Sequence, residues 1–286
     1  MSKYADYDYL DIYNSEVLGE ETVEDKINEL RSSKKKYKHV LKTIQSGSML
    51  EAEIYPVYAR RKEIPRREKE KDSKDSQSNL NDKNARKKFV RLVNHNFGKD
   101  DLLITLTYQD KYLPTEKQAK RDMQNYIRRI KAYLKKHSLP DLKYIYVIEY
   151  VDEEEQHKSK KIRVHHHLII NHMDRNVAED LWGKGRVEAR RLQPDDFGLE
   201  GIARYMLKDP RGKRWYGSRN LKPPVVNRAV TKLSNRKAEN MARRPDELKK
   251  VFESIYKGRY QFLDYNILFS DFTGGFYIYC RMRKNE

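Results

Sequence analysis

Three consecutive histidines stand in the run Arg-Val-His-His-His-Leu-Ile-Ile at residues 163–170, and what they can do depends on the conformation of that run. Its aliphatic and β-branched residues predict a strand. Side chains along a strand alternate between faces, so His165 and His167 share one face while His166 points the other way with Val164, Leu168 and Ile170. Two imidazoles side by side on a rigid strand suit two ligands of one metal ion. A carboxylate stands upstream in Val147-Ile148-Glu149-Tyr150. If that segment pairs with the histidine strand as an antiparallel hairpin, Glu149 approaches the histidine face. An acid among apolar strand residues is costly to bury unless it meets a cation or a donor. Two imidazoles and a carboxylate leave open positions on a divalent ion, and mixed nitrogen and oxygen ligation suits Mn²⁺ or Mg²⁺. Such an ion polarises a phosphate oxygen and orients the scissile bond. His166 is expected to be structural. The plainer alternative is a surface histidine cluster with Glu149 in an ordinary salt bridge.

Phosphoryl chemistry of this kind also needs a nucleophile, and the chain has 21 tyrosines to choose from. Tyr205 and Lys208 lie three apart, hence on one face of a helix. A lysine so placed can stabilise a developing phenolate, which matters because tyrosine otherwise ionises near ~10. The same spacing recurs at Tyr108/Lys111 and Tyr133/Lys136. Spacing by itself leaves the choice open, and a packing role for Tyr205 stands beside the catalytic one.

The elements that would position these groups can be read from pattern. Residues 102–108 form a β-branched and aromatic run closed by Pro114, as a buried strand ends. Thr115 and Gln118 have capping-box spacing, and Ala119, Met123, Ile127, Ile130 and Leu134 then recur at helical intervals over about 20 residues. Segments 143–151 and 162–170 read as an antiparallel hairpin with a charged tip at 152–161. A short helix over 174–182, a short strand over 185–192 and a helix from Pro194 towards Lys208 follow. Residues 245–256 look helical, and 259–269 with 275–283 look like a closing hairpin. The sum is an α+β domain from residue 89 to the end, an antiparallel sheet carrying helices. Residues 1–88 read as an arm, acidic and then basic and partly disordered, with a linker over 59–88.

Composition narrows the partner. The net charge is +18, from 61 basic and 43 acidic side chains, which draws a chain to polyanions, nucleic acid first. Residues 1–30 run against this trend with nine acidic groups and only Lys3 and Lys26 to oppose them. A single cysteine, Cys280, excludes a disulfide framework and cysteine-based zinc fingers and suits a reducing compartment. With neither a transmembrane-length apolar run nor a hydrophobic leader, the cytoplasm of a prokaryotic host and no membrane partner are expected. Charge alone would equally suit a non-catalytic DNA- or RNA-binding protein.

Taken together, the strand Leu-Ile-Thr-Leu-Thr-Tyr at 103–108, the histidine strand preceded by Val-Ile-Glu-Tyr, and the segment Tyr205-Met-Leu-Lys208 resemble the HUH endonuclease superfamily. They stand in that family's order and look most like its single-tyrosine rolling-circle replication initiators from plasmids and phages. The resemblance implies a ferredoxin-like core with a central antiparallel sheet. It implies His165, His167 and Glu149 as metal ligands, Tyr205 as the nucleophile and Lys208 as its assisting cation. It also implies a 5′-phosphotyrosine intermediate on single-stranded DNA at a replication origin. One motif tyrosine would leave termination to a second subunit or another nucleophile, and the oligomeric state is left open. No Gly-x-x-x-x-Gly-Lys-[Ser/Thr] loop is present, so a separate host helicase would be needed beside the polymerase. A relaxase or transposase of the same superfamily would share the chemistry. Trp182-Gly-Lys-Gly-Arg186 and residues 217–224 also resemble replication proteins of Gram-positive elements, and Arg186, Arg190, Arg219 and Lys222 are candidate DNA contacts. Thr107 at the end of the first strand is another, and Tyr108, Tyr112 and Trp215 are candidates for stacking on unpaired bases.

Overall fold

The computed structural model describes residues 22–32, 36–58, 74–149, 164–208, 215–230, 232–270 and 275–285. The chain opens with α1 (Val23–Ser32), β1 (Tyr37–Ser46), β2 (Met49–Tyr58) and α2 (Lys74–Asn96). Then come β3 (Leu102–Leu106), α3 (Glu116–Lys136), β4 (Tyr144–Glu149) and β5 (His165–Ile170), followed by α4 (Arg175–Asp180), β6 (Val187–Arg191), α5 (Glu200–Met206) and β7 (Tyr216–Gly217). Last are β8 (Val225–Ala229), α6 (Asn235–Arg243), α7 (Leu248–Tyr256), β9 (Tyr260–Ser270) and β10 (Gly275–Lys284). The architecture is α+β, with two antiparallel five-stranded sheets. Contacts divide the chain into one unit of residues 85–223 and another of 1–84 with 224–286.

The unit of residues 85–223 holds the histidine strand at the centre of its sheet, in the order β6-β3-β5-β4-β7. Alternation along the strands gives the sheet two apolar faces. One face presents Leu102, Ile104, Leu106, Tyr146, Ile148, Leu168 and Ile170 to α3, whose Ala119, Met123, Tyr126, Ile127, Ile130 and Leu134 form the matching buried stripe. Five large side chains buried from one helix stabilise this layer by on the order of 10 kcal/mol before the entropy of ordering is charged against it. Thr115 caps α3 by accepting from the Gln118 backbone N–H at 3.3 Å. The reciprocal half of the expected capping box is not made, because the Gln118 side chain donates to Asp122 instead. On the other face Ile145, Val147 and Ile169 pack with Phe89, Leu92 and Val93 of α2 and with Ala203 and Met206 of α5. Helices therefore cover both sides of the sheet, and the histidine strand is held between them.

One helix departs from expectation. Instead of running from Pro194, α5 starts at Glu200, because the preceding residues close a tight turn. Asp195 and Gly198 bond each other's backbones, the Asp195 carboxylate accepts from the Phe197 N–H at 2.7 Å, and Gly198 takes φ 69°. Those groups are then no longer available to a helix. The Leu199 N–H donates to Asn94 at 2.7 Å, so α2 anchors the start of the short helix that carries Tyr205.

In the other unit the described residues between 22 and 58 form a helix and two strands where an arm is expected, and the division between the units falls at 84/85. Strands β1 and β2 form a regular hairpin around Gly47, which takes φ 62°, inside a sheet of order β8-β1-β2-β10-β9. Helices α1, α6 and α7 share a core with one face of it, through Ile27, Leu30, Met241, Ala242, Leu248 and Phe252. Composition hid the hairpin because its strands bury charge: Lys42 and Glu53 pair at 2.7 Å with both side chains almost wholly enclosed. Helix α2 likewise occupies residues expected to be linker. The acidic residues before 22 and the loop expected over 152–161 lie outside the described residues, and β9 with β10 make the closing hairpin. Among the described residues no helix is long and apolar enough to cross a membrane.

Candidate active site

Strand pairing fixes the relations among the candidate residues. Glu149 stands opposite His165 and Val147 opposite His167 across β4 and β5, while Thr105 of β3 stands opposite His167 on its other side. The His165 and His167 rings lie almost parallel, 4° apart in plane and 6.5 Å between centroids. His167 is held at both ring nitrogens: Nε2 lies 3.3 Å from a Glu149 carboxylate oxygen and Nδ1 3.4 Å from the Thr105 hydroxyl. The hydrogen bond with His167 holds the Glu149 carboxyl below its usual range. Partial burial opposes that shift, and the charges of His167, His165 and Lys208 reinforce it. The Tyr205 ring meets His167 edge to face at 5.4 Å, and the residue as a whole is 59% exposed. These residues line a cavity of about 400 Å³ together with Thr107, Arg186 and Glu188.

His166 lies on the opposite face, fully buried. Its Nε2 is 2.8 Å from the Tyr108 hydroxyl and its ring packs against Trp182. Burial, helped by the neighbouring His167 and His165, pushes this imidazole down to about 3. It therefore stays neutral where histidine ordinarily titrates, as a structural role requires.

The Trp-Gly-Lys-Gly-Arg segment shapes the cavity wall. The Trp182 indole N–H donates to the Thr107 carbonyl at 2.8 Å, and the Thr107 N–H and hydroxyl both donate to the Arg186 carbonyl. The Gln109 N–H donates to the Lys184 carbonyl at 2.9 Å. A Cβ on Gly185 would fall 2.3 Å from the Thr107 oxygen, so only glycine lets the two backbones meet and brings Arg186 to the cavity. Helix α3 steadies the turn by donating from Arg129 to the carbonyls of Leu181 and Trp182.

The other candidates are scattered. Tyr108 is buried in the core, a correction to its reading as a base-stacking residue, since its ring is enclosed by Trp182 and His166. Trp215 is half-buried against Phe89, whereas Tyr112 is exposed beneath the ammonium groups of Lys111 and Lys184. Arg190 is exposed and paired with Glu188. Lys222 is held through its backbone by Asn96, and Arg219 lines a different cavity. Lys208 follows the end of α5 and does not line the cavity, though its charge acts on Glu149. Of the three tyrosines with a lysine three residues on, only Tyr205 lines the cavity. Sequence reasoning missed Thr105 and Glu188. Both share a register row with His167, which becomes visible once β6 is known to pair with β3.

Two imidazoles and a carboxylate on one wall fit a divalent ion by donor chemistry, with Glu188 a further oxygen donor at the same cavity. Among the described residues no three such side chains converge as a formed metal-binding group.

Residues 101–210 match the family model of the replication-associated protein ORF2. This is a family of rolling-circle replication initiators. The matched span runs from the residue before β3 to just beyond α5, so it takes in all three motifs that carried the resemblance. No curated protein and no solved structure matches the chain.

Proposed function

We propose that this chain nicks and rejoins single-stranded DNA at an origin of rolling-circle replication, with Tyr205 as nucleophile. The observation that carries the reading is the meeting of Tyr205, His165, His167 and Glu149 around one cavity, inside the span that matches an initiator family. The Tyr205 oxygen attacks the scissile phosphorus as the bond to the 3′ oxygen breaks. The phenolic proton is lost, the departing oxygen takes up a proton to become a 3′-OH, and the 5′ strand stays on the enzyme as a phosphotyrosine. Reversal by another 3′-OH rejoins the strand without a nucleotide cofactor. A divalent ion, Mn²⁺ or Mg²⁺, held by His165, His167 and Glu149 would supply Lewis-acid polarisation of the phosphate.

Each protein group has a part in this scheme. Thr105 holds the His167 ring at Nδ1, so it does not have to be ordered when DNA arrives, and Nε2, which faces Glu149, is the nitrogen that would take the ion. Lys208 offsets the charge that builds on and around the phenolate. Arg186 and Thr107, at the wall built by the tryptophan turn, hold the sugar-phosphate chain beside the cut, and Arg190, Lys222 and Tyr112 extend the contact. The freed 3′-OH would be extended by a host polymerase while a separate helicase unwinds the duplex.

A library of labelled single-stranded hairpin oligonucleotides incubated with the protein and Mn²⁺ tests the reading. A protein–DNA adduct that survives denaturant and is abolished by EDTA is expected. Strong, salt-sensitive binding with no adduct across the library would contradict it and point to a binding protein without catalysis.

A further inference from the structure

A second cavity of about 950 Å³ opens on the α3 side of the same sheet, at the far end of β4 from Glu149. Its wall includes Lys131 and Lys135 of α3, Tyr144 at the start of β4, and Arg219 and Asn220 after β7. Asp141 is the one acidic residue lining it. None of the three cations forms an ion pair with another described residue, and all three are exposed. The wall is also firmly held. The Ser218 N–H donates to the Tyr144 carbonyl at 2.9 Å, the Ser218 hydroxyl accepts from the Tyr144 N–H, and the Asn220 amide donates to the Leu142 carbonyl. Arg219 is thus presented from a pinned turn.

The aromatic ring in this groove is already engaged by the protein. The Lys131 ammonium sits 5.6 Å from the Tyr144 centroid, and Tyr144 stacks on Tyr146, which stacks on Tyr216 at 4.9 Å. Tyr144 acts as a seat for the lysine, not as a platform held out for a base. What remains to be recognised is negative charge, without base identity.

We propose that this groove binds the phosphodiester backbone of the DNA flanking the cut, using Lys131, Lys135 and Arg219 as a sequence-independent clamp. The proposal rests on the nicking function for its substrate. Tyr144 and Glu149 are five residues apart on β4, roughly 17 Å at the rise of a strand. Tyr144 faces α3 whereas Glu149 lies on the opposite face of the sheet, so DNA that reaches both must also pass around the sheet; the distance along β4 alone corresponds to ~5 nucleotides of a stacked strand at about 3.4 Å each, and the path between the faces adds to it. The clamp therefore adds affinity only to longer substrates.

The test uses the full chain carrying Tyr205→Phe, so that bound DNA is not cut, with and without Lys131→Gln/Lys135→Gln/Arg219→Gln. Binding is followed by fluorescence anisotropy on a length series of single strands and on blunt duplexes across a range of salt. On long DNA the triple variant should bind more than about tenfold more weakly, with a salt slope reduced by about 2–3. On the shortest strands it should match its parent. Whichever probe, single strand or duplex, shows the length-dependent loss identifies the form of backbone bound. An equal loss at every length, or an unchanged salt slope on long DNA, overturns the proposal. If the triple variant melts early because Lys135 offsets the end of the α3 dipole, Lys131→Gln/Arg219→Gln carries the same comparison with a slope change of about 2. Failure of the wild-type chain to form an adduct would overturn the nicking function while leaving this binding comparison readable.

Discussion

At the scale of single residues, two adjacent histidines perform opposite tasks. His167 is held at a cavity wall by Thr105 and Glu149, whereas His166 is sealed in the core against Trp182. His167→Ala should cost about 1–3 kcal/mol of stability, since the side chain is nearly enclosed, and reduce single-turnover cleavage of the folded variant at least about a hundredfold. His166→Ala should cost about 2–4 kcal/mol in denaturant unfolding, since it opens a cavity and removes the contact with the Tyr108 hydroxyl. The pH dependence separates them further. Burial lowers the His166 pKa to about 3 from an ordinary 6.5, so below pH 6.5 the unfolded chain takes up a proton that the folded one refuses. Stability falls as the pH drops from 6.5 towards 3 and this contribution levels off below that. His39, buried in the other unit and lowered to about 4, acts in the same sense over a shorter window. His166→Gln should therefore flatten the acid limb of unfolding free energy against pH by about 1.4 kcal/mol per unit. An unchanged slope would mean that His166 is charged in the folded protein.

At the scale of elements, the cavity depends on a turn whose side chains do no chemistry. Gly185 lets the chain touch the end of β3, and the Trp182 indole fastens the contact. Gly185→Ala should force the two backbones apart, costing about 1–3 kcal/mol and displacing Arg186, so thermal stability and cleavage should fall together. Loss of stability with full cleavage would detach the turn from the site. Much of this level was legible in the sequence. Runs of β-branched and apolar residues gave β3, β4 and β5, and alternation of side chains along a strand gave the faces of the three histidines. The 3.6-residue stripe from Ala119 to Leu134 gave α3 and its cap. What could not be read was pairing between distant segments. Thr105 and Glu188 join the histidine row only through β3–β5 and β3–β6 registers, set by tertiary packing. The Pro194 helix was misplaced because the Asp195 turn satisfies its own backbone locally, which competes with helix formation.

At the scale of the whole molecule, a net charge of +18 makes salt dependence a property of the full chain. Binding of uncut DNA should weaken steeply from about 50 to 200 mM salt, and an affinity flat over that range would contradict a phosphate-based interface. The second unit was the least legible part of the fold. Lys42 and Glu53 read as solvated charges in sequence but pair inside the sheet, and one strand, β8, returns from far along the chain to flank β1. Conversely, the order of three short motifs along the chain pointed to an initiator family where no single motif could, and the family match covers the same stretch. The central claim, that a tyrosine at the end of α5 takes the DNA strand, is tested most directly by digesting the denatured covalent adduct and mapping the modified peptide by mass spectrometry. The nucleotide should be found on Tyr205, and Tyr205→Phe should yield no adduct. Attachment to another residue, or an adduct that persists in Tyr205→Phe, would contradict the account.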